Sequence, residues 1–170
     1  INRQNILVVG GTGTGKTTLA NAIIEAIVRL TPDHRLIILE DTAEIQCSAK
    51  NANLLHTTDT VDMLRLLKAT MRLRPDRILV GEVRGKEALA LLKAWNTGHP
   101  GGVATVHANG AKAGLIRLEQ LIAEDSTSPM QRLIAEAVNL IVSITRTSTG
   151  RKIDEILSVS GFQNEEYILG

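Results

Sequence analysis

The stretch NILVVGGTGTGKTT, residues 5–18, constrains the fold of this chain more than any other. Its first half is a short unbroken apolar run, the pattern of a strand buried on both faces of a parallel sheet. Its second half switches to glycine, threonine and lysine. From Lys16 to Leu30, apolar residues then recur at Leu19, Ile23, Ala26, Ile27 and Leu30 with a helical period. Gly10, four further residues and then Gly15, Lys16 and Thr17 match G-x-x-x-x-G-K-[ST]. The bland alternative is a tight turn, but the placement between strand and helix is the one that phosphate binding requires. Glycines let successive backbone N–H groups turn inward around phosphate oxygens, and the helix start adds partial positive charge. The candidate nucleotide-binding set is therefore Gly10, Gly11, Thr12, Gly13, Thr14, Gly15, Lys16, Thr17 and Thr18. Lys16 can reach the β- and γ-phosphates and the Thr17 hydroxyl can sit on Mg²⁺, so ATP and Mg²⁺ are the implied ligands. The dinucleotide spacing G-x-G-x-x-G is absent.

The rest of the chain repeats the alternation. RLIILED (35–41) reads as a second buried strand, and residues 43–58 as irregular or short-stranded. Residues 59–73 read as a helix capped by Asp59 or Thr60, followed by a strand ending at ILVGE. A helix over 85–97, a strand ending near His107 and a helix over 112–124 come next. NLIVSITRT and RKIDEILSVSGF flank Ser-Thr-Gly and read as a late hairpin. Alternating strands and helices imply right-handed crossovers, hence an α/β fold with a mostly parallel sheet. All 170 residues read as one domain.

Hydrolysis needs carboxylates that hold Mg²⁺ and orient water at strand ends beside the phosphate loop. Glu40 and Asp41 end the second strand, Glu44 follows one short turn later, and Glu82 closes ILVGE. Each alone could be a helix cap or a solvated loop charge, but carboxyl ends of strands are where open α/β sheets bind ligands. His107 falls on one strand face with Val103 and Thr105, where it can sense a γ-phosphate. His99 lies in a Gly/Pro turn and reads equally as a solvated turn residue. Trp95 lies on the apolar face of its helix and reads as core.

Composition narrows the function classes. Net charge is +1, and one Trp, one Tyr and one Phe leave almost no stacking platform for bases, so direct nucleic-acid binding is not expected. The single Cys47 excludes an internal disulfide framework and fits a reducing, cytoplasmic compartment. No apolar run reaches the length of a transmembrane segment.

Four segments in order resemble one family. GGTGTGKTT resembles the Walker A loop of type II and type IV secretion ATPases, LEDTAEI their acidic box, RPDRILVGEVRG their Walker B segment and TGHPGGVATVHAN their histidine box. The stretch LLKAWNTGHPGGVATVHAN is most similar to the TrbB-like conjugal-transfer branch. The resemblance implies a RecA-like P-loop ATPase domain of a conjugative type IV secretion system, corresponding to the family's C-terminal catalytic domain. It also implies a homo-hexameric ring, peripheral at the cytoplasmic face of the inner membrane, with other secretion-system components as partners. Carried over residue by residue, Lys16 and Thr17 act on phosphates and Mg²⁺, and Glu40 and Glu44 form the acidic box. Glu82 polarises the attacking water, and His107 stands near the γ-phosphate. The Asp that usually precedes the Walker B Glu is here Gly81, so metal support falls to Thr17 and water with help from the acidic box.

The family's N-terminal domain, which supplies arginines to the nucleotide, has no counterpart in these residues. The arginines nearest a motif are Arg84, expected to face a neighbouring subunit, and the 72–77 cluster. Two other readings stay open. One is a RecA-like DNA-processing ATPase, supported by Arg65, Lys68, Arg72, Arg74 and Arg77, of which positions 65, 68 and 72 are expected to share a helix face. The other is a nucleotide-gated interaction module with little hydrolysis.

Overall fold

In the computed structural model, which describes residues 3–170, the chain runs β1 (Ile6–Gly10), α1 (Lys16–Leu30), β2 (Leu36–Glu40), β3 (Ala52–His56) and α2 (Met63–Thr70). It continues β4 (Arg77–Val80), α3 (Glu87–Asn96), β5 (Val103–His107), α4 (Ala111–Ala123) and α5 (Gln131–Ala137), then β6 (Leu140–Thr147), β7 (Gly150–Gln163) and β8 (Glu166–Leu169). The strands form one sheet in the order β3-β2-β4-β5-β1-β6-β7-β8. The pairings from β3 to β6 are parallel, and β7 and β8 add antiparallel.

The central strands are continuously apolar because both their faces are covered. Val8, Ile38, Leu79 and Val103 point to one face and pack on Ala20 and Ile24 of α1. Their neighbours Leu7, Val9, Ile37, Leu39, Ile78 and Val80 point to the other, against Leu67 of α2, Leu91 and Trp95 of α3, Leu115 of α4 and Ile134 of α5. Full burial of one such side chain is worth about 1.5–3 kcal/mol. Trp95 is core, as its helix face predicts, and its indole N–H donates to the Ile78 carbonyl at 3.1 Å. Among the described residues, no helix is long and apolar enough to cross a membrane.

Within residues 43–58, which read as irregular or short-stranded, residues 52–56 form a short strand, β3, at the sheet edge. Two expectations change. The helix expected over 59–73 is shorter, and its cap is Asp62, whose carboxylate accepts from the Arg65 N–H at 2.8 Å, instead of Asp59 or Thr60. Thr58 and Val61 already pair with each other through the backbone, at 3.0 and 3.2 Å, so the helix cannot begin before that turn closes. The shared basic face fails for the same region. Arg72 lies beyond α2, Arg74 takes a left-handed φ of 52°, and Arg77 is buried, donating to the Gly101 carbonyl and to His34 Nδ1. The late hairpin is present as β6 and β7. A second turn through Asn164 and Glu165, both at positive φ as tight hairpins demand, adds β8.

At the amino edge of the sheet, Asn5 is 3% exposed and joins three segments. Its Oδ1 accepts from Gly101 N at 2.6 Å and Gly102 N at 3.0 Å, and its Nδ2 donates to the Ala137 carbonyl at 2.7 Å.

Candidate active site

Parallel strands deliver their following loops to one edge, so the residues after β1, β2, β4 and β5 emerge together. Gly10 is level with His107, and Leu39 with Val80. Between these ends lies a cavity of about 430 Å³, lined by Thr12, Gly13, Lys16, Thr17, Glu40, Asp41, Thr42, Glu44, Gly81, Glu82, Arg84, Thr105 and His107. All five candidate catalytic residues, Lys16, Glu40, Glu44, Glu82 and His107, therefore border one space.

The loop makes its turns at Gly13 and Gly15, with φ of 71° and 97°, and α1 starts directly after. Thr12, Gly13, Lys16 and Thr17 face the cavity, whereas Gly10, Gly11 and Thr14 line a second cavity behind the loop with Asn109, Ser143 and Asp154. Thr14 is buried and donates its hydroxyl to the Gly11 carbonyl at 2.9 Å, which braces the loop itself. Thr18 is exposed and borders neither space. Lys16 Nζ donates to the carbonyls of Gly10 and Gly11, both at 3.0 Å. Burial is the main cause that lowers its pKa, opposed by Glu82 and Glu44 and reinforced by Arg84.

Glu40 organises the acidic loop. It is 2% exposed, and its Oε1 accepts from the backbone N–H groups of Glu44 at 3.0 Å and Ile45 at 2.7 Å. That turn brings Glu44 back over α1, where its Oε2 accepts from the Thr17 hydroxyl at 3.0 Å. Asn21, one helical turn after Thr17, holds the same loop through the Glu44 carbonyl and the Gln46 N–H. Asn21 went unnoticed in the sequence; the i, i+4 spacing from Thr17 is the signal that marks it. The other oxygen of Glu40, Oε2, has no hydrogen-bond partner and lies 3.5 Å from His56 Nε2. Gly81 stands against this carboxylate. A Cβ built there would lie 3.1 Å from Glu40 Cγ, so Glu40 occupies the space into which a Walker B Asp would extend.

Glu82 lies just beyond β4 and is paired with Arg84, whose Nε donates at 2.7 Å and Nη2 at 2.5 Å. Arg84 Nη1 is also 3.5 Å from Asp41. Hydrogen bonding to Glu82 raises the Arg84 pKa further. Instead of pointing away, Arg84 folds back into its own cavity. The Glu87 carboxylate accepts from the N–H groups of Arg84 and Gly85 and holds this turn. Thr105 donates to the Gly81 carbonyl at 2.7 Å, and His107 is exposed at the strand end. His99 is not part of the site: its Nδ1 is 3.0 Å from the Pro75 carbonyl at the opposite edge.

Among the described residues, no cluster of three His, Cys, Asp or Glu side chains is arranged to hold a metal alone. Mg²⁺ brought by nucleotide phosphates needs only a few protein oxygens and keeps several waters. The Thr17 hydroxyl, Glu44 Oε2 and the unpartnered Glu40 Oε2 fit that requirement.

Comparison with known proteins extends the likeness beyond the four motifs. The type II/IV secretion system protein family matches residues 2–162. The chain belongs to this family. Within it, the conjugal transfer protein TrbB of Rhizobium radiobacter is 65% identical over 98% of this chain and 51% of its own length. The type IV secretion system protein VirB11 of Bartonella henselae is 32% identical over 91% of this chain and 46% of its own. Among solved structures, the VirB11 ATPase of the Brucella suis type IV secretion system, in complex with sulphate, superposes with a TM-score of 0.83. It shares 30% identity and covers 92% of this chain and 48% of that one. The pilus retraction motor PilT with bound ADP superposes with a TM-score of 0.70 at 27% identity, over 91% of this chain and 47% of its own. The chain spans about half the length of these relatives.

Proposed function

We propose that this chain is a RecA-like ATP-hydrolysing motor domain of a conjugative type IV secretion system, acting in a homo-hexameric ring at the cytoplasmic face of the inner membrane. The observation that carries the reading is the meeting of Lys16, Thr17, Glu40, Glu44, Glu82 and His107 around one cavity at the carboxyl edge of the sheet. The 65% identity to a conjugal transfer protein supports the choice of system.

In this mechanism Lys16 exchanges its two loop carbonyls for β- and γ-phosphate oxygens, and the loop N–H groups take the remaining charge. Thr17 and the carboxylates of Glu40 and Glu44 would hold Mg²⁺ and its waters, and the ion would supply positive charge that offsets the phosphates. Glu82 orients a water against the γ-phosphorus and takes its proton as the bond to the ADP oxygen breaks. Arg84 must first release Glu82, because a carboxylate held by a guanidinium is a poor base. Once released, it can lie against the γ-phosphate. His107 reports the γ-phosphate to β5.

The experiment is ATP binding and turnover by the full-length protein and its Lys16→Ala variant. Parent turnover that depends on Mg²⁺, and loss of the ATP-induced thermal shift in the variant, are the expected results. An undiminished shift in Lys16→Ala refutes the site. A second reading, a nucleotide-gated interaction module, is favoured by the Glu82–Arg84 pair. Binding without turnover in the parent selects it. The DNA-processing reading loses support because Arg72 lies beyond the helix that carries Arg65 and Lys68, and Arg77 is buried against the Gly101 carbonyl.

A further inference from the structure

The β6–β7 hairpin overhangs the phosphate loop from the side opposite the carboxylates. In the sheet order, β5, β4 and β2 lie to one side of β1, and β6 and β7 to the other. Arg151, near the start of β7, lies directly on Gly15. A Cβ built at Gly15 would be 2.7 Å from Arg151 Cδ, 3.1 Å from its Nε and 3.7 Å from its Cζ. Its partner across the hairpin is another arginine, Arg146. Like charges directly opposite on a strand pair are destabilising, yet among the described residues neither guanidinium has an ion-pair partner. The hairpin's nearest carboxylates are engaged elsewhere. Asp154 pairs with Lys152 at 2.9 Å, and Glu155 accepts from the Ala111 N–H at 3.4 Å. An uncompensated guanidinium, that of Arg151, thus stands against a loop whose own chemistry suits phosphate, with a second, Arg146, opposite it on the hairpin.

We propose that Arg151, with Arg146 beside it, binds the phosphate at the nucleoside end of the nucleotide. This rests on the nucleotide-site reading above. The argument is one of direction. Water-activating carboxylates lie on the β2–β4 side, so the γ-phosphate must lie there. A polyphosphate laid along the loop then carries its α-phosphate toward β6 and β7. Lys16 serves the distal phosphates, and Arg151 serves the proximal one with the planar, permanently charged donor set suited to phosphate. An anion between Arg146 and Arg151 also offsets their mutual repulsion, so the hairpin gains most when a nucleotide is present. The requirement for glycine at position 15 is then double: a left-handed φ of 97° and room for the arginine above it.

The test is equilibrium binding of fluorescent ADP and of ATP to the full-length protein and its Arg151→Ala and Arg151→Gln variants, with thermal unfolding in the absence of nucleotide. The expected result is a loss of affinity of about tenfold, equal for ADP and ATP, because both carry the α-phosphate. Thermal stability without nucleotide should hold or rise as the like-charge pair is relieved. Affinities equal to the parent in both variants overturn the proposal, as does a loss confined to ATP, which places Arg151 on the γ-phosphate. A fall in nucleotide-free stability with unchanged affinity in the folded fraction makes the residue structural and also overturns it. A parent that binds neither nucleotide refutes the nucleotide site itself, a failure distinct from one confined to Arg151.

Discussion

The two edges of the sheet both bury polar groups, and they use them differently. At the amino edge, Asn5 and Arg77 spend their hydrogen bonds largely on main-chain atoms: the N–H groups of Gly101 and Gly102 and the carbonyls of Ala137 and Gly101. At the carboxyl edge main-chain contacts also hold the loops, but there polar and charged side chains meet one another as well: Thr17 with Glu44, and Arg84 with Glu82 and Asp41. Main-chain partners move only if the fold moves. Side-chain partners can be exchanged one for another, which is what the proposed nucleotide site requires. The orphaned oxygen of Glu40 belongs to the second kind, a buried acceptor left open where a water or metal can use it.

Substitutions at the two edges should therefore separate chemistry from stability. The largest effect is expected at the carboxyl edge. Glu82→Gln should lower ATP turnover by about 10²–10⁴-fold, since the amide cannot take a proton. ATP binding and the melting temperature should stay near parental values. Turnover close to the parent in single-cycle assays would move the base to Glu40 or Glu44. Next is Asn5→Ala, which strands two backbone donors and one acceptor in the core. It should cost about 3 kcal/mol of unfolding free energy in denaturant titration, with nucleotide affinity in the folded protein retained. A variant that loses affinity and keeps stability would erase the distinction between the edges.

The smallest effect concerns His34, also at the amino edge. Burial, then the charge of Arg77, lowers its pKa below 6.5, and the neutral ring accepts from Arg77 Nε at 3.1 Å. Since the unfolded chain takes up the proton first, this contribution is complete above pH 6.5 and fades as the pH falls from there toward the folded value. Melting curves across that range should show a decline that His34→Asn, which cannot titrate, flattens. Equal slopes in parent and variant would assign the decline to other groups.

The legibility of this chain follows the range of the interactions involved. The helix Lys16–Leu30 and strands β1, β2, β4 and β5 were readable because apolar period and glycine spacing are local quantities. The Asp62 cap was misplaced because the backbone pairing of Thr58 and Val61 competes with helix initiation and leaves no compositional mark. Residues 43–58 read as irregular or short-stranded, and the bounds of β3 within them stay open in the sequence because at the sheet edge only one neighbour imposes a pattern. Arg77 read as one of a basic set with Arg65, Lys68, Arg72 and Arg74, because nothing in a run of arginines says which one is buried against a glycine carbonyl.

By itself, the amino-acid sequence determined the glycine-rich loop between β1 and α1, the α/β alternation and the acidic strand ends, since each depends on residues a few positions apart. Only the tertiary structure decided that Glu40 fills the place beside Gly81, that Arg84 turns inward onto Glu82, and that Arg151 rests on Gly15. Those contacts join segments far apart in the chain. They exist because parallel pairing brings β1, β2 and β4 to a common edge and the hairpin folds back over it, a register set by the packing of whole strand faces against helices.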